Sequence, residues 1–167
     1  MLFSGKMQLA DVIGGLGRSR FDELLKSISI GSLRTYQVYE SFKIHARLSK
    51  VNRERLRKAA PKLWERLQHG DEVLARELAH AILICHLPMV VEVLDFLEIA
   101  HDGNGFFDKD RAAKQQLQSG WQQRVFDEFR DKYPVPLLLL YINHLDREVG
   151  APAEPFLGAE AGVTANG

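Results

Sequence analysis

The sequence predicts an all-α protein, a compact bundle of six to eight helices, and three observations support this. Apolar residues recur every three or four positions along most of the 167-residue chain, which is the period of an amphipathic helix. Glycine, proline, Asp and Asn separate these segments at positions where helices begin and end. The hydrophobic fraction of 46% and the charged fraction of 26% are those of a globular chain that can fill a core.

The N-terminal half contains three predicted helices, over about 19–28, 32–48 and 52–67. Apolar stripes in the first and third are formed by Phe21, Leu24, Leu25 and Ile28, and by Leu56, Ala60, Leu63 and Leu67. Asn52 is a suitable N-cap for the third helix. Pro61 lies inside that helix, and we expect it to kink the helix or to restart it.

The C-terminal half contains five predicted helices, over about 71–87, 88–101, 108–118, 121–133 and 136–149. Gly70 and Asp71 form a stop followed by an N-cap, and Asp108 caps the short polar helix. Residues 102–105, Asp-Gly-Asn-Gly, indicate a turn. Leu137 to Ile142 are apolar on every side of the helix, which is typical of a helix at the centre of a core.

The organisation expected from these elements is a single helical domain over residues 1–149 and a flexible tail over 150–167. A chain of this length fits one domain. The helices over 71–87, 88–101 and 136–149 are expected to form the core. From Gly150 onward the chain is rich in Ala, Gly and Pro and offers little surface to bury.

Composition also indicates the cellular compartment in which the protein is expected. Cys85 is the only cysteine, so no internal disulfide can form, which favours the reducing cytoplasm. No apolar run reaches the roughly 20 residues of a membrane span, and the N-terminal residues lack the pattern of a secretory signal. We therefore expect a soluble, cytoplasmic protein. No nucleophile and base follow a catalytic motif, so no catalytic residue is named and no cofactor is expected.

Charge is unevenly distributed, although 22 basic residues balance 22 acidic ones. Residues 43–62 carry eight basic residues and one acid, and residues 71–110 carry nine acids and two bases. The leading interpretation is a non-enzymatic interaction module that binds a protein partner or self-associates through these opposed surfaces. The candidate binding residues on the basic helix are Arg53, Arg55, Lys58, Lys62 and Arg66.

A nucleic-acid-binding protein is the first alternative interpretation. A row of basic side chains at helical spacing can follow phosphates, and a helix, a short link and a basic helix have the outline of a helix-turn-helix. The link at 49–52 lacks glycine, and Pro61 interrupts the second helix. In this interpretation the same five basic residues over 53–66 contact the nucleic acid.

A metal-dependent helical enzyme is the second alternative. Two Glu-x-x-His pairs, Glu77 with His80 and Glu98 with His101, would each place a carboxylate and an imidazole on one helix face. Paired motifs of this kind hold a di-metal centre in carboxylate-bridged helical bundles, where two further glutamates complete the ligand set. Here the pairs lie on consecutive helices, with no intervening helix to supply a bridging glutamate. The ion expected would be a transition metal.

Overall fold

A computed structural model describes residues 7–29, 53–115, 117–150, 152 and 154–158, with the side chain of Arg55 excepted. These residues form eight α-helices and no strand, which confirms the all-α prediction. The helix expected over 32–48, the N-cap at Asn52 and the last nine residues of the tail lie outside the described residues. The helices are α1 (Leu9–Leu16), α2 (Arg18–Lys26), α3 (Arg53–Gln68), α4 (Glu72–Ile84), α5 (Leu87–Phe96), α6 (Lys109–Lys114), α7 (Trp121–Phe129) and α8 (Val135–Val149).

Helix α8 lies at the centre of the bundle, as its sequence predicts. Residues 137–142 are all buried, and the helix packs against α1, α2, α4, α6 and α7. The predicted core helices α4 and α5 are also rich in buried side chains. Helix α1 contributes five buried residues to the core. The sequence did not predict this helix, because two glycines interrupt its apolar segment.

Helix α3 runs without a break through Pro61, so the expected restart does not occur. A proline removes the N–H that would bond to the carbonyl four residues earlier, here that of Arg57. Pro61 and Arg57 are both exposed, so water can hydrate that carbonyl. The predicted stripe faces inward, and Leu56, Leu63 and Leu67 are at most 3% exposed.

Two helices end in the same hydrogen-bonded motif with different residues at its key position. At the end of α3, the Asp71 N–H donates to the Arg66 carbonyl and Gly70 adopts φ 80°. After α5, the Ile99 N–H donates to the Leu94 carbonyl, and Glu98 adopts φ 58°. Both are Schellman ends, in which a left-handed residue turns the chain out of the helix.

The predicted helix over 88–101 is therefore shorter than expected and ends at Phe96. The helix expected to reach Leu87 ends at Ile84. The two N-caps at Asp71 and Asp108 are confirmed, because each side chain accepts a hydrogen bond from a backbone N–H group.

Among the described helices, none alone has the length and apolar character needed to cross a bilayer. The bent pair α4 and α5, with 88° between its members, meets that test of length and composition when taken together.

The beginning of the C-terminal segment differs from the flexible tail expected from Gly150 onward. Phe156 packs its ring edge-on against Phe126, with 6.1 Å between ring centroids. The Phe156 backbone exchanges two hydrogen bonds with the buried side chain of Asn143. Gly158 adopts φ 82°, and a Cβ there would lie 3.0 Å from the Phe126 ring. One aromatic residue thus supplies enough apolar surface to anchor residues 154–158, which composition alone does not indicate.

Candidate functional site

The candidate interaction surface begins with the solvent-facing side of α3. The apolar stripe fixes the rotation of this helix against α1, α2 and α4, so the side opposite the stripe faces water. Arg53, Lys58 and Lys62 are exposed, as the sequence analysis expects. Arg57 is exposed as well, although it is not among the five basic residues predicted to bind a partner.

Not all of the basic candidates are available to a partner. Arg66 pairs with Asp71 at 2.6 Å and so fastens the end of α3 to the start of α4. Arg53 donates from Nη1 to the Lys26 carbonyl at 2.9 Å, which ties α3 to the end of α2. Lys58 lies 3.3 Å from Glu54 in an exposed pair, which contributes little to stability.

Arg57 and Lys62 complete the surface on α3. Neither has an ion-pair partner among the residues that the structure describes. The side chain of Arg55 lies outside the described part, although its backbone belongs to α3. We call the exposed set Arg53, Arg57, Lys58 and Lys62 the basic face. Glu54 and Glu65 are exposed on the same helix, so the face is cationic but not uniformly so.

The acidic region divides into acids that form ion pairs with basic side chains and an exposed group. Asp71, Glu72 and Glu92 each pair with a basic side chain of the same chain. Five other acids are exposed between the end of α5 and the first turn of α6, and we call them the acidic segment: Asp95, Glu98, Asp102, Asp108 and Asp110. Asp102 also accepts hydrogen bonds from the N–H groups of Asn104 and Phe106, which shapes the turn.

The basic face and the acidic segment belong to separate parts of the fold. Helix α3 packs on α1, α2 and α4, whereas α6 packs on α8. Between described residues, no ion pair joins a cation of the basic face to a carboxylate of the acidic segment. The two charged surfaces therefore do not neutralise each other within the part of the molecule that the structure describes.

The residues of the expected metal site are not brought together. No group of three or more His, Cys, Asp or Glu side chains among the described residues is placed to hold a metal ion. Glu77 and His80 do share α4, but Glu98 and His101 follow the end of α5, so their spacing no longer places them on one helix face. The unpredicted helix end at Phe96 is the physical reason.

His101 is held by local hydrogen bonds in the turn after α5. The Gly103 N–H donates to its Nδ1 at 2.9 Å, so this nitrogen is the acceptor. Its Nε2 lies 2.7 Å from Asp95 Oδ1 and is therefore the donor of a second bond. Both ring nitrogens stabilise the turn in this arrangement, because the lone pair of Nδ1 accepts from Gly103 and the proton of Nε2 is donated to Asp95.

Sequence reasoning also missed the polar contacts that hold α1, α4 and α8 together. The Glu72 carboxylate accepts from the N–H groups of Leu9 and Ala10, and Arg147 donates to both Glu72 and the Met7 carbonyl. No local spacing relates these residues, since Glu72 and Arg147 are 75 positions apart.

No protein-family model, no curated protein and no solved structure matches this chain.

Proposed function

We propose that the protein is a non-enzymatic interaction module that self-associates, the basic face of one copy binding the acidic segment of another. The observation that carries the proposal is the coexistence of these two exposed surfaces on a neutral chain, with no ion pair between them among the described residues. Opposite charges that do not pair with each other within one molecule are available to pair between molecules. Because the two surfaces differ, the contact either closes reciprocally between two copies or continues head-to-tail to further copies.

The expected association is weak and sensitive to salt. Exposed ion pairs contribute only about 0.2–1 kcal/mol each, and association itself costs translational and rotational freedom. Dissociation constants of roughly 10–1,000 µM are therefore expected at low salt. Screening shortens the reach of these charges to about 3 Å at 1 M salt, so the complexes should dissociate there.

A charge-reversal experiment tests this arrangement. The basic-face variant carries Arg57→Glu and Lys62→Glu, which spare the structural roles of Arg53 and Arg66. The acidic-segment variant carries Glu98→Lys and Asp110→Lys. The basic-face variant presents two negative surfaces, and the acidic-segment variant keeps only three carboxylates beside two new lysines, so each variant alone should sediment as a monomer. Their equimolar mixture restores complementarity and should associate in sedimentation velocity at low salt.

The control variant reverses two exposed acids elsewhere, Glu23→Lys in α2 and Glu128→Lys in α7. Its change in net charge equals that of the acidic-segment variant. This variant should associate as the unaltered protein does. A wild-type protein that stays monomeric at millimolar concentration and low salt would refute self-association. Association that persists in both reversal variants would show that other surfaces are responsible.

Nucleic-acid binding remains the competing function, because the basic face is also suited to phosphates. Two observations favour a protein partner: Glu54 and Glu65 would face the phosphates, and Arg66 is held by Asp71. Fluorescence anisotropy with duplex DNA and single-stranded RNA separates the two functions. Salt-sensitive binding that is lost with Arg55→Ala, Lys58→Ala and Lys62→Ala would replace our proposal by this alternative.

A further inference from the structure

A cavity of about 480 Å³ lies between α4, α8 and the turn at 103–106, away from the basic face. This volume is within the range of small-molecule sites in proteins. One part of its wall is apolar and includes Leu83, Leu87 and Val90. The other part is polar and is formed by Arg76, His80, Lys109, Tyr141, His144 and Arg147, together with Glu148.

Two side chains in the polar wall have hydrogen-bonding capacity that the described part of the protein does not use. Tyr141 is 3% exposed, and its buried hydroxyl has no hydrogen-bond partner. His144 lies one helical turn later on α8, and its buried Nδ1 also lacks a partner. Buried polar groups are nearly always paired, so two neighbouring exceptions beside a cavity indicate groups that pair with a ligand.

The charges around the polar wall leave an excess of one positive charge. Arg76, Lys109 and Arg147 are the cations, and Glu72 and Glu148 are the carboxylates that pair with them. Glu72 is shared between the two arginines, which lie 3.6 and 3.4 Å from it. A bound group with a single negative charge would neutralise this excess, whereas a doubly charged phosphate would leave a net negative charge.

The entrance of the cavity carries an exposed aromatic side chain. Phe106 is 67% exposed and lines the cavity from the turn. Gly105 adopts φ 89°, and a Cβ there would lie 3.0 Å from Val90 Cγ1, so glycine lets the turn approach α5 closely. The turn thus holds an apolar ring at the rim, where it can cover the apolar part of a ligand.

We propose that this cavity binds a small organic monocarboxylate, with its apolar body against Leu83, Leu87 and Phe106 and its carboxylate at the polar wall. There the Tyr141 side chain turns to bring its covered hydroxyl to the carboxylate, which accepts a hydrogen bond from it and meets the excess positive charge. This site shares no residue with the basic face or the acidic segment. Its test is therefore independent of the self-association proposed above.

Octanoate is a suitable probe, and octan-1-ol is a neutral molecule of matched length. Titration of the isotopically labelled protein, followed by amide NMR shifts, should show saturable octanoate binding at Asn104, Gly105 and neighbouring residues of α4. Octanol should bind at least about tenfold more weakly, because it lacks the charge. Inorganic phosphate, titrated separately, should leave these amides unshifted.

Tyr141→Phe removes one oxygen atom and should weaken octanoate binding roughly tenfold or more. Tyr133→Phe is the matched control, since Tyr133 donates to Glu92 outside the cavity, and it should bind octanoate as the unaltered protein does. The proposal is overturned if octanoate causes no shift near the cavity up to about 10 mM. Equal affinities for octanol and octanoate, or an unchanged affinity in Tyr141→Phe, would overturn it as well.

Discussion

Asn143 and Phe156 hold the C-terminal segment to the body of the protein by two reciprocal hydrogen bonds. The Phe156 N–H donates to Asn143 Oδ1 at 2.6 Å, and Asn143 Nδ2 donates to the Phe156 carbonyl at 2.8 Å. The same Nδ2 donates to the Leu139 carbonyl of α8 at 2.8 Å. Asn143 is completely buried, so a single amide satisfies the backbone of the segment where water cannot.

Asn143→Leu should therefore lower the free energy of unfolding by about 2–3 kcal/mol, because the Phe156 backbone groups lose their partners. Urea denaturation measures this change, and limited proteolysis should show faster cleavage near residue 156. Asn104→Ala, at an exposed asparagine, should change stability by less than about 0.5 kcal/mol. Unaltered protease resistance in Asn143→Leu would contradict the role assigned to this amide.

Tyr141→Phe should raise the free energy of unfolding of the ligand-free protein by up to about 1 kcal/mol. The buried hydroxyl has no partner among the described residues, so replacing it with hydrogen removes the cost of burying an unpaired polar group. Tyr133→Phe should instead lower the free energy of unfolding, since the Tyr133 hydroxyl donates a hydrogen bond to Glu92. Thermal and urea unfolding of the two variants provide the comparison. Equal destabilisation of both would show that the Tyr141 hydroxyl is satisfied in solution.

Stability should decrease as the pH falls from 7.5 to 5.5. Burial lowers the pKa of His144 below its ordinary value of 6.5. The unfolded chain consequently binds a proton more readily than the folded protein, and the stabilisation present above pH 6.5 is lost below it. The charged groups that act on His144 are Glu148, Arg147, Lys109 and His80, and only Glu148 favours its protonation.

His144→Gln should reduce this loss of stability, which urea denaturation at the two pH values measures. His69→Gln is the control, because it makes the same substitution at an exposed histidine. Burial also lowers the pKa of the half-buried His86, so part of the pH dependence should remain in His144→Gln. An identical pH dependence in the variant and the unaltered protein would exclude His144 as a contributor.

Glu98→Gly should stabilise the protein by roughly 0.5–1 kcal/mol. Glu98 is the only non-glycine residue with positive φ in the described part of the chain, at 58°. A side chain is strained there, and glycine relieves the strain, although it also makes the unfolded chain more flexible. Gly70→Ala at the matching position of α3 should be destabilising. Thermal unfolding of the two variants tests whether they change stability in opposite directions, and a stabilising Gly70→Ala would contradict this prediction.

The elements that sequence predicted well are those determined by neighbouring residues. The stripe from Leu56 to Leu67, the buried run from Leu137 to Ile142 and the caps at Asp71 and Asp108 follow from local spacing and local hydrogen bonds. The end of α5 was missed because it uses Glu98 where glycine is the usual signal. That error also produced the incorrect placement of the Glu98 and His101 pair on one helix.

The remaining features depend on tertiary contacts that no local pattern encodes. Phe156 was assigned to a flexible tail because its partners, Phe126 and Asn143, are 30 and 13 positions away. Tyr141 and His144 were included in an apolar helix, and only the packing of α4 and the turn beside them forms a cavity. The basic face was predictable as a charge pattern, but the internal pairing of Arg66 was not.

The central position of α8 has a consequence for biosynthesis. Ribosomes release the chain from its N-terminus, so α1, α2 and α4 emerge well before the helix that fills the space between them. Until residue 149 has been made, the parts of these helices that pack on α8 have no partner and are exposed to chaperones and to aggregation. Folding of the described helices should therefore be a single late step that follows translation of α8, rather than a gradual accretion during synthesis.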